Sequence, residues 1–178
     1  MIISHTPLVD CIIIEPAVFP DARGKFVVAF DSIAFAKAVP KQKPFITTNE
    51  STSTYGVLRG LHAQKGEAAQ AKLVRCISGR ILDVVVDYRP ESPTYLQHYT
   101  IELSGENNKQ LLVPRGFLHG FSVLSETAIV NYQIDNTYQP DMETGIRYDD
   151  PKLNIDWQLP REDIILSEKD EKLGYLKL

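Results

Sequence analysis

Two stretches of the chain, GVLRGLHAQ at residues 56–64 and VPRGFLHGF at residues 113–121, decide the fold. The first contains the spacing G-x5-H, which ends at His62, and the second contains P-x-G-x2-H, which ends at His119. Each stretch combines glycine or proline turn signals with short apolar runs, a pattern typical of antiparallel strands joined by tight turns. We expect both histidines on strands of one β-barrel.

The two spacings are the skeletons of the two motifs of a cupin, a small double-stranded β-barrel. A metal-binding cupin would carry a second histidine two residues after His62, where this chain has Gln64. Glu67 lies close to the position of the carboxylate ligand, but two imidazoles out of four ligand positions make a poor metal site. We therefore expect no metal, and we expect histidines that are free for acid–base or binding chemistry.

Short runs of strand-forming residues separated by turn signals dominate the chain, which predicts one mainly-β domain over residues 1–178. Helix signals are confined to residues 31–38 and to the tail at 161–178, where Ser167 would be the N-cap and Asp170 would complete a capping box. The expected fold is a cupin-type double-stranded β-helix, a jelly-roll barrel, with short helices in its N- and C-terminal parts. Strands are predicted over residues 73–87 with a break at 78–79, and over 95–103, 111–113, 117–124 and 128–135.

Composition narrows the functional classes. The net charge is −4 and no basic run occurs, so binding of nucleic acid by a general basic surface is not expected. The apolar run near the N-terminus covers only residues 11–14, which predicts a strand rather than a signal peptide or a membrane span. Two cysteines do not indicate a disulfide framework, and the predicted location is the cytoplasm.

Strand periodicity predicts which polar side chains face inward. Tyr132 shares its strand face with Val130 and Ile134, so it should line the barrel. Lys72 shares its strand face with Val74 and Cys76, which are both apolar. A lysine on such a face needs a partner or a function, because burial of an ammonium group is costly.

Arg59 and His62 have opposite parity, so a regular strand could not point both side chains inward. Gly60 lies between them and can host a β-bulge, which would re-aim one of the two side chains.

Six stretches, taken together and in order, resemble the dTDP-4-dehydrorhamnose 3,5-epimerases, which are nucleotide-deoxysugar epimerases of the cupin fold. The resemblance covers most of the chain. It implies an isomerase that converts dTDP-4-dehydro-6-deoxyglucose to dTDP-4-dehydrorhamnose without a redox cofactor or a metal. The stretches are FPDARGKF (19–26), NESTSTYGVLRGLHAQ (49–64), QAKLVRCISGRILDVVVDYRPESPTY (70–95), LLVPRGFLHGFSVLSE (111–126), YQIDNTYQPDMETGIRYDDP (132–151) and LSEKD (166–170).

The resemblance also implies roles for individual residues. In this family a base removes the proton at C3 or C5 beside the ketone, and an acid returns a proton to the opposite face of the enolate. His62 corresponds to the base and Tyr132 to the acid, while Asp170 corresponds to the carboxylate that pairs with the base. Lys72 corresponds to the residue that faces the carbonyl oxygen. The implied nucleotide or diphosphate contacts are Arg23, Arg59, His119 and Lys169, and the remaining pocket residues are Phe26, Asn49, Tyr138 and Glu143.

In this family the residues that correspond to Arg23 and Phe26 reach the neighbouring subunit's site, so the resemblance implies a homodimer. The chain departs from the family's pattern where the nucleoside is held, because Val28, Thr47 and Thr48 replace larger polar or acidic residues. The nucleoside base is therefore left open.

Three alternative functions remain. The chain could epimerise only C3 or only C5 in another deoxysugar pathway, since the residues for both reactions look the same. It could be a non-catalytic cupin that binds a sugar, although no residue of the base, acid and carboxylate set is lost. A metal-dependent oxygenase is disfavoured by Gln64 and by the absence of a histidine cluster.

Overall fold

The short alternating segments of the sequence form thirteen β-strands and two helices in the computed structural model, which describes residues 1–177. The helices are α1 (Ser32–Ala38) and α2 (Glu168–Glu171). The strands are β1 (Ile2–His5), β2 (Ile12–Glu15), β3 (Ala17–Asp21), β4 (Gly24–Val28), β5 (Thr47–Thr54), β6 (Leu58–Gln64), β7 (Lys72–Ser78), β8 (Arg80–Asp87), β9 (His98–Ser104), β10 (Gln110–Val113), β11 (Phe117–Val123), β12 (Thr127–Ile134) and β13 (Glu143–Gly145).

Two antiparallel sheets form the body of the molecule. The six-stranded sheet has the order β1-β2-β10-β7-β12-β5, and the five-stranded sheet has the order β13-β6-β11-β8-β9. From β5 onward consecutive strands cross from one sheet to the other, except for the β8–β9 pair, as in a jelly roll. The hairpin β3–β4 pairs with neither sheet. The predicted mainly-β barrel is therefore confirmed.

Apolar side chains at alternate strand positions fill the space between the sheets. Val74 and Val130 come from the six-stranded sheet and meet Val85 and Leu103 from the five-stranded sheet, and all four are fully buried. Complete burial of such a side chain stabilises the fold by about 1.5–3 kcal/mol. The core therefore holds the two sheets together along much of their length, and a polar cleft lies where it ends.

The predicted strand boundaries agree with the structure to within one residue except in one case. The predicted break at residues 78–79 is present, because Gly79 has a φ of 76° and a Cβ there would lie 2.0 Å from the Thr127 carbonyl oxygen. The strand predicted from residue 95 begins instead at His98. Residues 94–97 form a turn in which Leu96 has a φ of 61° and donates its N–H to the Asp87 carbonyl oxygen at 2.7 Å.

Both predicted helices are present. The carboxylate of Asp31 caps α1 by accepting the N–H groups of Ile33 and Ala34, each at 3.0 Å. Ser167 caps α2 by accepting the Asp170 N–H at 3.2 Å, but the Asp170 carboxylate does not return to the Ser167 N–H, so only half of the predicted capping box forms. Neither helix in the described part of the chain has the length and apolar character needed to cross a membrane.

Candidate active site

A cleft between the two sheets consists of two adjoining lobes that share five side chains: His62, Lys72, Tyr132, Tyr138 and Glu143. One lobe, of about 460 Å³, adds mainly amide and acidic groups, and we call it the amide lobe; its further polar residues are Asn49, Glu50, Gln64 and Gln70. The other lobe, of about 340 Å³, adds three basic side chains, and we call it the cationic lobe; its further polar residues are Ser51, Arg59, His119, Ser167, Lys169 and Asp170.

The candidate base and acid come from opposite walls of the cleft. His62 lies on β6 of the five-stranded sheet, whereas Tyr132 lies on β12 of the six-stranded sheet. Lys72 begins β7 beside β12 and is paired in register with Ile134, two residues from Tyr132. The inward orientation that strand parity predicts for Tyr132 and Lys72 is therefore confirmed, because both side chains line the cleft.

A β-bulge in β6 resolves the opposite parity of Arg59 and His62. The register with β11 shows one extra residue in β6 between these two positions. Gly60 has a φ of 117°, and a Cβ there would lie 2.6 Å from the Cα of Gly120. Only glycine fits so close a contact between two strands. The bulge predicted from the sequence is present, and Arg59 and His62 both line the cationic lobe.

His62 is held by a buried carboxylate. Its Nε2 atom lies 2.5 Å from Oδ1 of Asp170, although the two groups are not aligned as a linear hydrogen bond. Burial raises the pKa of Asp170. Three contacts outweigh this effect and bring the net pKa below its usual value: the contact with His62, the hydroxyl that Ser167 donates at 2.9 Å, and the charge of Lys169. Asp170 therefore remains ionised, and Nδ1 is the nitrogen of His62 left for a ligand.

Lys72 and Tyr132 carry their protons for different reasons. Burial lowers the pKa of Lys72 to about 8, although the negative charges of Asp83 and Glu143 raise it. Lys72 forms no ion pair within residues 1–177. Burial raises the pKa of Tyr132, and the nearby charge of Arg59 only partly offsets this. At neutral pH the cleft therefore presents an unpaired ammonium group and a protonated phenol.

A chain of polar contacts closes the rim of the cleft. Tyr138, which is half exposed, donates its hydroxyl to Oε2 of Glu143 at 2.7 Å, and Lys169 donates to the same oxygen at 2.6 Å. Burial raises the pKa of Glu143, but Lys169 and Tyr138 lower it more, so this carboxylate stays ionised. Gln64 also stabilises the rim, because its Oε1 accepts the N–H of Gln139, the residue after Tyr138, at 2.9 Å.

Asp83 is a site residue that the sequence reasoning missed. It is fully buried, and its Oδ1 lies 2.7 Å from Nε2 of His119, which is also buried. Asp83 shares its strand face with Ile81 and Val85, both of them core residues. The parity argument that selected Lys72 could have found it, since a carboxylate on an apolar face is as unusual as an ammonium group.

Two of the implied substrate contacts lie outside the cleft of their own chain. Arg23 and Phe26 belong to the β3–β4 hairpin, where Arg23 is 90% exposed and pairs with Asp21 at 2.6 Å. Phe26 is 68% exposed. Their action in a neighbouring subunit's site stays a prediction.

The described part of the chain contains no group of three or more His, Cys, Asp or Glu side chains placed to hold a metal ion. The expectation that the reaction needs no metal or cofactor stays a prediction. Apart from Arg23 and Phe26, every implied site residue lines at least one of the two lobes.

Comparisons with known proteins show the family of the chain. A sequence model of the dTDP-4-dehydrorhamnose 3,5-epimerase family matches residues 5–177. A dTDP-4-dehydrorhamnose 3,5-epimerase from Shigella flexneri is 45% identical over 170 residues, which cover 96% of this chain and 93% of the relative. The crystal structure of a dTDP-4-dehydrorhamnose 3,5-epimerase from Elizabethkingia anophelis matches with a TM-score of 0.93 and 50% identity, covering 98% of this chain and 96% of that one. A dTDP-6-deoxy-D-glucose-3,5-epimerase from Legionella pneumophila, solved in complex with dTDP-4-keto-L-rhamnose, matches with a TM-score of 0.93 and 40% identity over 97% and 91% of the two chains.

Proposed function

The chain belongs to the dTDP-4-dehydrorhamnose 3,5-epimerase family, and we propose that it converts dTDP-4-dehydro-6-deoxyglucose to dTDP-4-dehydrorhamnose by proton transfer at C3 and C5. One observation carries the mechanism: an imidazole, His62, and a phenol, Tyr132, lie on opposite walls of one cleft. Inversion of a carbon requires that a proton leaves one face and another arrives on the opposite face. Two walls that each hold one proton-transfer group meet this requirement.

In the first half of the reaction, His62 takes the C–H proton beside the ketone. The electron pair of that bond moves onto the C4 carbonyl oxygen, which gives an enolate. Asp170 holds the imidazole in position and stabilises the imidazolium that forms. The ammonium group of Lys72 stabilises the negative charge on the enolate oxygen, and it is available because no carboxylate among residues 1–177 forms an ion pair with it.

In the second half, Tyr132 donates its phenolic proton to the same carbon from the other wall. The raised pKa of Tyr132 keeps this proton in place at neutral pH until the enolate forms. Solvent then takes the proton from His62 and returns one to Tyr132, so that the catalyst is unchanged. Repetition at the second carbon completes the conversion.

The cationic lobe supports a diphosphate substrate. Arg59 forms no ion pair in the described residues, and its Nε donates only to the Ser53 hydroxyl at 3.2 Å. Guanidinium and ammonium groups are suited to phosphate oxygens, so Arg59 and Lys169 can offset the charge of the diphosphate in a protein whose net charge is −4. Tyr138 at the rim offers an aromatic face for the nucleoside base.

Proton exchange with solvent tests this function directly. We expect the protein to introduce deuterium at both C3 and C5 of dTDP-4-dehydro-6-deoxyglucose in D2O, with inversion at both carbons, as followed by NMR. His62→Ala should abolish this exchange, whereas His98→Ala, which removes an exposed imidazole of β9, should not. Exchange at only one carbon would identify a C3-only or C5-only epimerase. Substrate binding without any exchange would identify a sugar-binding protein.

The homodimer is the second part of the proposal. The β3–β4 hairpin pairs with neither sheet and keeps Phe19 and Phe26 more than half exposed, which suits a segment that contacts a neighbouring subunit. If Arg23 acts in the partner's site, mixed dimers of Arg23→Ala and His62→Ala chains contain one intact site. Mixing the two inactive variants should then restore about a quarter of the wild-type activity, because half of the dimers are mixed. Full activity of Arg23→Ala alone would place Arg23 outside the site, and no recovery on mixing would show that Arg23 does not act in the partner's site.

The last part of the proposal is a cytoplasmic location in a pathway that makes activated deoxysugars. Both cysteines, Cys11 and Cys76, are free and buried, as is usual for a protein of a reducing compartment. Cell fractionation with an antibody against the protein would test the location, and recovery in an extracytoplasmic fraction would contradict it.

A further inference from the structure

The chain between β12 and β13, residues 136–142, carries Tyr138 at the edge of the cleft, and we call it the rim segment. None of its residues is buried, and Tyr138 itself is 51% exposed. The rim segment belongs to none of the core clusters of the described chain. Its position therefore depends on polar contacts with neighbouring segments rather than on apolar packing.

Asn136 fastens the rim segment to the loop of residues 65–71, which connects β6 to β7. Its Nδ2 donates to two carbonyl oxygens of that loop, those of Glu67 at 2.8 Å and Ala69 at 3.3 Å. Its Oδ1 accepts the N–H of Thr137 at 3.0 Å. Both ends of the amide are thus used, one toward the loop and one toward the rim segment itself.

Further hydrogen bonds join the same two segments on either side of the rim tyrosine. Before it, Gln70 donates from Nε2 to the carbonyl oxygen of Asn136 at 3.0 Å. After it, the N–H of Lys65 donates to the carbonyl oxygen of Met142 at 2.9 Å. The tyrosine therefore lies between two points at which the main chain is tied to the loop.

Asn136 is separate from the groups proposed to carry out the chemistry, because it lines neither lobe of the cleft. Strand ladders hold those groups instead. His62 on β6 is paired with His119 on β11, and Lys72 on β7 is paired with Val113 on β10. Loss of the Asn136 contacts should therefore leave the base and the ammonium group in place.

We propose that Asn136 is a positioning residue, which holds Tyr138 ready for the nucleoside base before the substrate arrives. This inference rests on the nucleotide-sugar substrate proposed above. A side chain that is already in place loses less conformational freedom on binding, so the affinity is higher. The base is not the reacting part of the substrate, so its contacts are the same in the ground state and the transition state, and the effect falls on binding rather than on turnover.

Substitution of Asn136 by alanine tests this role through binding and turnover together. We expect Asn136→Ala to raise the dissociation constant of dTDP, measured by isothermal titration calorimetry, by about three- to tenfold, as the loss of a hydrogen bond usually does. KM for the nucleotide-sugar should rise by the same factor, while kcat stays within about twofold of wild type. An unchanged dissociation constant, or a fall in kcat as large as the rise in KM, would overturn the proposal.

A double-mutant cycle with Tyr138→Ala separates positioning from a general loss of structure. If Asn136 acts through Tyr138, Asn136→Ala should change the dTDP dissociation constant by less than about twofold once Tyr138 is already alanine. A general loss of structure would weaken binding by the same factor in both backgrounds, and that result would overturn the proposal.

Asn107 provides a matched control in the turn between β9 and β10, outside both lobes. Its Nδ2 donates to the Glu102 carbonyl oxygen at 2.9 Å, and its Oδ1 accepts the N–H of Ser104 at 3.1 Å, so it ties two segments much as Asn136 does. Asn107→Ala should lower the free energy of unfolding without changing the affinity for dTDP. An equal loss of affinity in this control would contradict a specific role of Asn136.

A second variant, Asn136→Asp, keeps the size of the side chain and the acceptor for Thr137 but removes the donor to the loop. It should weaken dTDP binding as the alanine variant does, and wild-type affinity in the folded aspartate variant would overturn the proposal. Because dTDP binding is measured without turnover, this test is independent of the deuterium-exchange test of the activity. A wild-type protein that does not bind dTDP would contradict the proposed substrate as well as the role of Asn136.

Discussion

Replacement of Lys72 by methionine should make the protein more stable and, at the same time, a much poorer catalyst. Lys72 is enclosed in the cleft, and burial lowers its pKa from 10.5 to about 8. At 1.36 kcal/mol for each pKa unit, the ammonium group is destabilised by about 3 kcal/mol relative to the unfolded chain. Methionine has a similar length and no charge, so the variant is free of this cost.

The pH range of the stability effect follows from the two pKa values. Between about pH 8 and pH 10.5 the unfolded chain keeps the Lys72 proton while the folded protein has lost it, so stability rises with pH in this interval. The destabilisation is therefore complete below pH 8 and disappears as the pH approaches 10.5. We expect Lys72→Met to gain about 3 kcal/mol in free energy of unfolding at neutral pH, and progressively less above pH 8.

Turnover should change in the opposite direction. The enolate oxygen carries more negative charge than the ketone, so the ammonium group stabilises the transition state more than the bound substrate. If the cost of about 3 kcal/mol is recovered there, its loss lowers kcat by about a hundredfold, with a smaller effect on KM. The wild-type kcat should also fall above about pH 8 as the ammonium group deprotonates, and Lys72→Met should lack this alkaline limb.

Urea unfolding near pH 7 and near pH 9.5, combined with kcat and KM over the same range, measures both effects. Lys65→Met serves as the control, because Lys65 is an exposed lysine just beyond β6 and should change neither quantity. A less stable Lys72→Met protein at neutral pH would refute the cost assigned to burial of the ammonium group, and an unchanged kcat with a raised KM would refute the assignment of Lys72 to the enolate.

Three further substitutions test the other groups of the cleft. Asp170→Asn keeps the shape of the side chain but removes the charge that holds His62, so kcat should fall by about a hundredfold and by less than in His62→Ala, in the same steady-state assay. Tyr132→Phe should retain solvent exchange but form little epimer, because the base remains and the acid on the opposite wall is lost; NMR of the product in D2O would reveal epimer formed at the wild-type rate if the acid lay elsewhere. Asp83→Asn should move the alkaline limb of kcat to lower pH, because the charge of Asp83 raises the pKa of Lys72, and a pH–rate profile identical to wild type would contradict this coupling.

Much of the barrel and one wall of the cleft could be predicted from local patterns. The alternation of apolar and polar residues predicts which faces of β7 and β12 point inward, and it therefore predicts that Lys72 and Tyr132 line the cleft. The conflict in parity between Arg59 and His62 predicts the bulge at Gly60 from the sequence alone. These features depend on neighbours in sequence, so a strand's own period is enough to reveal them.

Contacts between distant segments could not be derived in this way. Asp170 lies in a charged tail that looks solvated, and its contact with His62 depends on how the four-residue helix α2 docks against β6. Only the family resemblance indicated that pair. The Asp83–His119 pair joins neighbouring strands whose register no local pattern specifies.

The separation of His62 and Tyr132 between two sheets has an evolutionary consequence. No ladder joins the two sheets in the described part of the chain, so each can accumulate substitutions without disturbing the backbone hydrogen bonds of the other. With the proposed roles of His62 and Tyr132, changes confined to β6 would alter whether a carbon–hydrogen bond is broken, and changes confined to β12 would alter the face on which the carbon is protonated again. A substitution in one sheet would thus change the stereochemical outcome while the proton-transfer group of the other sheet is kept. The stereochemical outcome on this scaffold is therefore easier to diversify than the type of reaction.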